Sequence, residues 1–431
     1  MSSLHSLQSI NASIPKPGAL LQNDSAILSD PNLALEVFAS GLTLPTNMAF
    51  LDSGEVLVLE KENGTVRKIV NGMPLSKPLL DLNVSTFDTR GMLGLVVVTN
   101  QTINKQYVFL YYTEAKDGKY DGQDKCTSPS KCMPDQTNGN RLSRYELPEN
   151  GSKLINQKVI FSWPPFSGAS HNGGEIVIGP DNNLYVLIGD GDNRHTIFSN
   201  SNESTAIDGR GGVLVFDQSG KSAFPQGIIG DKDPLNKYFA YGIRNGFGLD
   251  FDPITGKLWD TENGPGYGDE INMVEPGFNS GHTKILGFWK QFNRTYGELV
   301  MEPPINDLID FWGKGKYSAP EFAWNQTIAP TAIKFLNSDK YGKKYENDLF
   351  VGTVKPNGDL YHFDLNPKRS ELDLQGPLED KIANNYGELS SVTFGKNFGV
   401  ISDITVGPDG YLYIVSHTRG EIYRIIPIQQ R

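Results

Sequence analysis

Cysteine is nearly absent: Cys126 and Cys132 are the only two in 431 residues. Their Cys-x5-Cys spacing in a Pro-, Ser- and Lys-rich stretch fits one small disulfide loop, with two free thiols as the alternative. No histidine cluster accompanies them, which argues against a metal site. Long apolar runs are missing too, none approaching the roughly 20 residues that span a bilayer, so membrane insertion is not expected. No heptad run or sustained 3.6-residue period appears, which sets long helices aside. Cations are in deficit: 39 Lys and Arg face 50 Asp and Glu, a formal charge of −11, without a basic stripe. Such a surface does not neutralise phosphates, and no nucleic-acid partner is expected.

What the chain has in quantity is glycine (46), tyrosine (18) and phenylalanine (22), set among short apolar runs broken by Gly, Asn and Asp. That is the pattern of strands and tight turns. Residues 1–31 are polar and turn-rich and read as a mobile leader without the charged start and apolar middle of a signal peptide. Nine Asn-x-Ser/Thr sites exceed the roughly four expected by chance, pointing to an exported chain (extracellular, periplasmic or cell-surface) whose signal has been removed.

Over residues 32–431 one unit recurs: an apolar strand, a Gly/Pro/Asp turn, a second apolar strand and often a third. The copies fall at residues 47–69, 92–146, 175–216, 248–274, 332–363 and 403–426. The sixth supplies three strands, and residues 35–39 can supply its outer one, closing the ring. The fold read from this is all-β, a single six-bladed β-propeller domain, in preference to two or three β-sandwiches, because no linker interrupts the repeat. About 70 residues per copy leaves a surplus for long loops, where function is expected.

Two loops carry more polar residues than a turn requires. Ser170-His171-Asn172-Gly173-Gly174 enters the third copy, whose second strand ends in Ile188-Gly189-Asp190. In a propeller both positions face one end of the central channel, so His171 and Asp190 can meet. A carboxylate on one imidazole nitrogen fixes the tautomer and raises basicity at the other, as a general base requires. The second stretch is Arg244-Asn245-Gly246, then Glu262-Asn263-Gly264-Pro265 and Asp269-Glu270. Arg244 offers a fixed positive charge to a carboxylate or a transition-state oxygen. The carbonyls of Gly264 and Pro265, with Asp269 and Glu270, are hard oxygen donors suited to Ca²⁺. A satisfied structural histidine and a Gly-rich turn before a solvated acidic pair are the plain alternatives.

Taken in order, His-x-Gly-Gly, Gly-Pro-Asp-x-x-Leu-Tyr, Gly-Asp, Arg-Asn-x-x-Gly-Leu, Glu-Asn-Gly-Pro, Asp-Glu-Ile-Asn and Pro-Gly-x-Asn resemble the soluble PQQ-dependent sugar dehydrogenases, the glucose/sorbosone and aldose dehydrogenase family. The resemblance spans roughly residues 35–427. It implies a six-bladed propeller using pyrroloquinoline quinone (PQQ) and calcium, with His171 as catalytic base and Asp190 as its orienting partner. It further implies Arg244 and Asn245 as cofactor contacts, Lys355 as a looser cofactor contact, and Gly264, Pro265, Asp269 and Glu270 as calcium ligands. The implied reaction removes two electrons and the hydroxyl proton from a small-molecule sugar, an aldose leaving as its lactone; the motifs leave the sugar and the electron acceptor unspecified. Several positions depart from the family pattern. Its glutamine ahead of the second copy falls at Thr89, the acid before the catalytic histidine is Ser170, and a glutamine after Arg-Asn is Phe247. Its Arg-x-Arg-Asp reads Val400-Ile401-Ser402-Asp403, and its Asn-Tyr-Gly-Trp reads Asn279-Ser280-Gly281-His282. These departures keep two other classes open: a recognition propeller without chemistry, and a calcium-dependent lactone or ester hydrolase.

Overall fold

The computed structural model describes residues 25–116, 137–149, 151–166, 168–203, 206–290 and 305–428. Cys126 and Cys132 lie outside them, as do Asn11, Asn23, Asn150 and Asn293 of the sequons. The fold is an all-β propeller, as the repeat predicts, with no α-helix among the described residues. No described helix is long and apolar enough to cross a membrane.

Six sheets have four or more strands, and a two-stranded hairpin stands apart. The first three strands of each, from the channel outward, are Pro45–Phe50, Val56–Glu60 and Thr65–Val70 in sheet one, then Met92–Asn100, Lys105–Ala115 and Thr137–Leu147 in sheet two. Sheet three has Ile176–Ile178, Leu184–Ile188 and Gly212–Phe216, and sheet four Gly246–Phe251, Leu258–Glu262 and Asp269–Val274. Sheet five has Pro330–Phe335, Leu349–Thr353 and Leu360–Phe363, and sheet six Ile401–Val406, Leu412–Ser416 and Glu421–Pro427. The innermost strands touch their neighbours in succession, and the last returns to the first.

Alternation along each strand builds the core. In sheet three Leu184, Val186 and Ile188 pack with Phe109 and Tyr111 of sheet two, while Tyr185 and Leu187 pack with Leu249 and Leu258 of sheet four. Covered on both faces, the second strands of sheets one, three and six read as nearly continuous apolar runs, whereas that of sheet four carries Asp260, Thr261 and Glu262. The remaining interfaces repeat the scheme, ending with Tyr413 and Val415 against Met48 and Val58. Leu33–Ala39 pairs antiparallel with Glu421–Pro427, Leu35 opposite Ile425, so an early strand and the last one share sheet six as expected. The Gly-Pro-Asp turns have one construction: Tyr185 donates to Asp181 at 3.1 Å, and Tyr413 to Asp409 at 2.9 Å. A Cβ on Gly179 or Gly407 would collide with that tyrosine ring, which explains the glycine.

Three features differ from the sequence reading. Ile27–Leu28, inside the segment read as leader, is an edge strand paired with Thr393–Lys396 of sheet five. Sheet three gains parallel strands Phe278–Asn279 and Lys316–Tyr317, and sheet four gains Ile382–Ala383. Two-residue strands carry no readable period, so only tertiary pairing reveals them.

Candidate active site

One end of the ring collects the loops that enter each innermost strand and those that leave each second strand. His171 stands on the first kind of loop in sheet three, Asp190 on the second, and their side chains meet as expected. His171 Nδ1 lies 2.6 Å from Asp190 Oδ1, and both residues are buried. The backbone is built for this contact. His171 itself has a φ of 61°, in the left-handed region that a non-glycine residue enters at a cost, a form of strain that collects at functional sites. Gly189 lets the two loops close up, since a Cβ there would strike the carbonyl oxygens of His171 and Arg244. Tyr111 donates to the Asn172 carbonyl at 2.9 Å and fixes the loop from sheet two.

Asp190 is shared. Its Oδ1 also accepts from the Asp192 backbone N–H at 2.9 Å, and its Oδ2 faces His282 Nε2 at 3.0 Å. Burial alone would raise this carboxyl, but the two facing imidazoles hold it well below the usual range. An ionised Asp190 accepts, so Nδ1 of His171 carries a proton, and Nε2 is the nitrogen turned away from Asp190. Burial pushes His282 down to about 4, so at neutral pH it is an uncharged donor through Nε2.

Arg244 occupies in sheet four the place that His171 occupies in sheet three. Its Nη1 donates to the Asn263 carbonyl at 2.7 Å, whereas its buried Nε has no hydrogen-bond partner. Burial lowers its pKa, the main effect, against opposing fields from Asp190 and Asp192. The neighbouring Asn245 Oδ1 is likewise buried and unpartnered. Lys355 follows the second strand of sheet five at the same end and is half-buried, its backbone N–H tied to the Ile328 carbonyl at 2.9 Å. Arg419, between the second and third strands of sheet six, reaches the Asn397 carbonyl at 2.7 Å.

Gly264 and Pro265 follow the second strand of sheet four, and Asp269 and Glu270 open its third. The two acids point opposite ways, as successive strand residues must. Asp269 accepts from the Gly264 N–H at 2.8 Å, Thr327 Oγ1 at 2.7 Å, and the N–H groups of Ile328 and Ala329 at 2.8 and 2.7 Å. Its oxygens are committed to holding the Gly264-Pro265 loop against sheet five. Asp269→Ala would orphan three backbone N–H groups at about 1–3 kcal/mol each, so a loss of roughly 3–9 kcal/mol is expected in a denaturant titration. Glu270 turns the other way, to Asp260 and Glu262. Nδ2 of Asn272 lies 3.1 Å from Asp260, 3.2 Å from Glu262 and 3.1 Å from Glu270. Two amide hydrogens cannot serve three carboxylates at once, and Asp260 Oδ2 and Asn272 Oδ1 have no partner. Burial, reinforced by mutual repulsion, raises Asp260 and Glu262 well above the carboxylate range and Glu270 to about 7.

Sequence reasoning missed His282, Asp260 and Glu262 as participants. The only signal for His282 was its departure from a family tryptophan, Asp260 carried no signal, and Glu262 stood only as the first residue of the Glu262-Asn263-Gly264-Pro265 stretch, with no role given to it. His282→Phe removes one of the donors to Asp190. We expect a stability loss of about 1.5–3 kcal/mol, largely absent in an Asp190→Asn background, a coupling that a double-mutant cycle in denaturant measures.

The sequence model of one family, Glucose / Sorbosone dehydrogenase, matches residues 42–424. The aldose sugar dehydrogenase YliI of Escherichia coli is 25% identical over 413 residues, 94% of this chain and 95% of that one. Quinoprotein glucose dehydrogenase B of Acinetobacter calcoaceticus is 23% identical over 451 residues, covering 91% of this chain and 87% of its own. Among solved structures, the apo-form of the soluble E. coli aldose sugar dehydrogenase superposes with a TM-score of 0.68 at 23% identity, covering 92% of this chain and 100% of that one. The PQQ-bound aldose sugar dehydrogenase of Streptomyces coelicolor gives 0.62 at 21% identity, covering 91% and 98%. With the family match extending over nearly the whole propeller, the chain belongs to the glucose/sorbosone dehydrogenase family of oxidoreductases.

Proposed function

We propose that this chain is a six-bladed, PQQ- and calcium-dependent dehydrogenase that oxidises an aldose to its lactone. The observation that carries the reading is the buried His171–Asp190 pair beside a buried Arg244 with an unpartnered Nε. Each of the six sheets is read as one blade.

The residues present fit an anionic quinone. Arg244 Nε and Asn245 Oδ1 are a donor and an acceptor without partners at one end of the ring, where Lys355 and Arg419 add positive charge. Calcium fits the carbonyls of Gly264 and Pro265, and a second set of hard donors in Asp260, Glu262, Glu270 and Asn272, of which Asp260 Oδ2 and Asn272 Oδ1 have no hydrogen-bond partner. When bound, PQQ supplies a two-electron acceptor and calcium a Lewis acid. The protein does the rest. Nε2 of His171 takes the proton of the sugar hydroxyl, and Asp190 steadies the imidazolium that results. His282 and the Asp192 N–H keep Asp190 ionised and oriented, so the proton stays on His171. Arg244 holds a carboxylate in place and counters negative charge as it builds. The five sequons among the described residues support export.

Reduction of a dye by an aldose, seen only when both PQQ and Ca²⁺ are added, is the expected result. Lactone hydrolysis with calcium alone would favour the hydrolase, and no turnover under either condition would favour recognition.

A further inference from the structure

A second constellation of metal-binding side chains stands away from the catalytic end. His362 lies on the third strand of sheet five and Asp364 two residues later, so the two share one face of the strand. The neighbouring strand pairs Leu349 with Phe363 and Phe350 with His362, a register that sets Asp348 opposite Asp364. Asp348 precedes the second strand of its sheet, whereas Asp190 follows the second strand of its own. The cluster therefore lies at the opposite end of the propeller from His171.

The geometry is that of a metal site. His362 Nε2 is 3.0 Å from Asp348 Oδ2 and 3.6 Å from Asp364 Oδ1, and one ligand atom from each residue lies within 4.8 Å of the others. Ligands at 2.0–2.1 Å around a tetrahedral ion stand about 3.3 Å apart, between the two observed values. An ion pair accounts for only part of this arrangement. Directly opposed carboxylates repel on adjacent strands. The one Nε2–H of His362 is within hydrogen-bond reach of Asp348 alone, and Asp364 is paired with Asp348 itself, carboxyl against carboxyl, a contact that an ion bridging the two would replace. The ammonium of Lys344, the nearby cation, is bonded to the Tyr345 hydroxyl at 2.9 Å and leans toward Asp30. The His362 ring is clamped among Tyr345, Phe350 and Phe394, with centroids 5.0, 5.1 and 6.2 Å away, so its nitrogen is already aimed.

We infer that Asp348, His362 and Asp364 bind a divalent transition-metal ion of the zinc class, with water in the fourth position. One imidazole and two carboxylates suit such an ion better than calcium, which takes six to eight oxygens. This inference is independent of the quinone chemistry.

Cobalt(II) reports tetrahedral coordination through its visible ligand-field band, so the test is a titration of the chelator-treated full chain with CoCl₂. One equivalent should bind saturably, and Zn²⁺ should displace it. Asp364, with 61% of its side chain exposed, can be changed without disturbing the core. Asp364→Ala should weaken binding more than about 100-fold, beyond what losing an outer-shell partner costs. His362→Gln should do the same, with far-UV dichroism confirming that it folds. Absence of saturable binding up to about 1 mM would overturn the inference. So would a band that survives both variants, or one that persists in Asp364→Ala and vanishes in His171→Gln, which would place the ion at His171, Asp190 and Asp192.

Discussion

Replacing His171 with glutamine is expected to lower kcat for sugar oxidation about 10²- to 10⁴-fold, the usual worth of a positioned general base. Glutamine keeps much of the side-chain length and can still donate to Asp190, so the loop should hold, but it has no basic nitrogen to accept the hydroxyl proton. The loss should appear in kcat and kcat/KM together with KM little changed, since the proton moves only in the transition state. Calcium-dependent stability should not change, because the acid cluster of sheet four does not touch His171. Steady-state dye reduction by the two proteins, each loaded with PQQ and Ca²⁺, makes the comparison. Unaltered turnover in the variant would remove His171 from the chemistry.

The second large effect is on stability. Glu270 is held at about 7 in the folded chain, and Asp260 and Glu262 are raised well above the carboxylate range, chiefly by burial. A carboxyl whose folded pKa lies above its unfolded value binds its proton more tightly in the folded state. Its contribution is therefore fully present below the unfolded value and is lost as pH rises through the folded one. For Glu270 the window runs from about 4.5 to about 7, and the loss is about 3 kcal/mol. Chelator-treated protein should become markedly less stable between pH 5 and pH 8, by about that amount or more. A cation among the three carboxylates replaces the protons, so added Ca²⁺ should restore stability, more at pH 8 than at pH 5. Thermal unfolding at the two pH values, with chelator and with calcium, measures both effects. A calcium increment that does not grow with pH would detach the cation from this cluster.

The parts legible in the sequence were those encoded locally. Strand pairs joined by short turns announce themselves by alternation and by Gly-Pro-Asp, so the sheets fall near where the repeat put them. The loops holding His171 and Asp190 were also legible, because 19 residues and one strand pair separate them and propeller order brings both to one end. His282 was not legible as their partner. It reaches Asp190 across 92 residues from a loop whose two-residue strands have no period. Asp269 illustrates the converse. An acidic pair after a Gly-rich turn reads as ligands, yet the strand sends Asp269 to three backbone N–H groups and only Glu270 into the cluster, a division set by side-chain direction that composition does not show.

If this propeller is a quinoprotein it binds a tricarboxylate quinone, and equilibrium titration of the calcium-loaded chain with PQQ is the decisive measurement. Of the cations the family resemblance implies, Arg244 and Lys355 remain, while the Arg-x-Arg-Asp positions read Val400-Ile401-Ser402-Asp403. Two missing charge-assisted hydrogen bonds at about 1.5–3 kcal/mol each come to roughly 3–6 kcal/mol, or about 10²- to 10⁴-fold in affinity. Arg419, already at that end of the ring, can recover part of this. Saturable, calcium-dependent binding in the micromolar range is expected, weakened further by Arg244→Ala, with quinone absorbance and sugar-dependent dye reduction rising together. Absence of saturable binding below about 1 mM would contradict it.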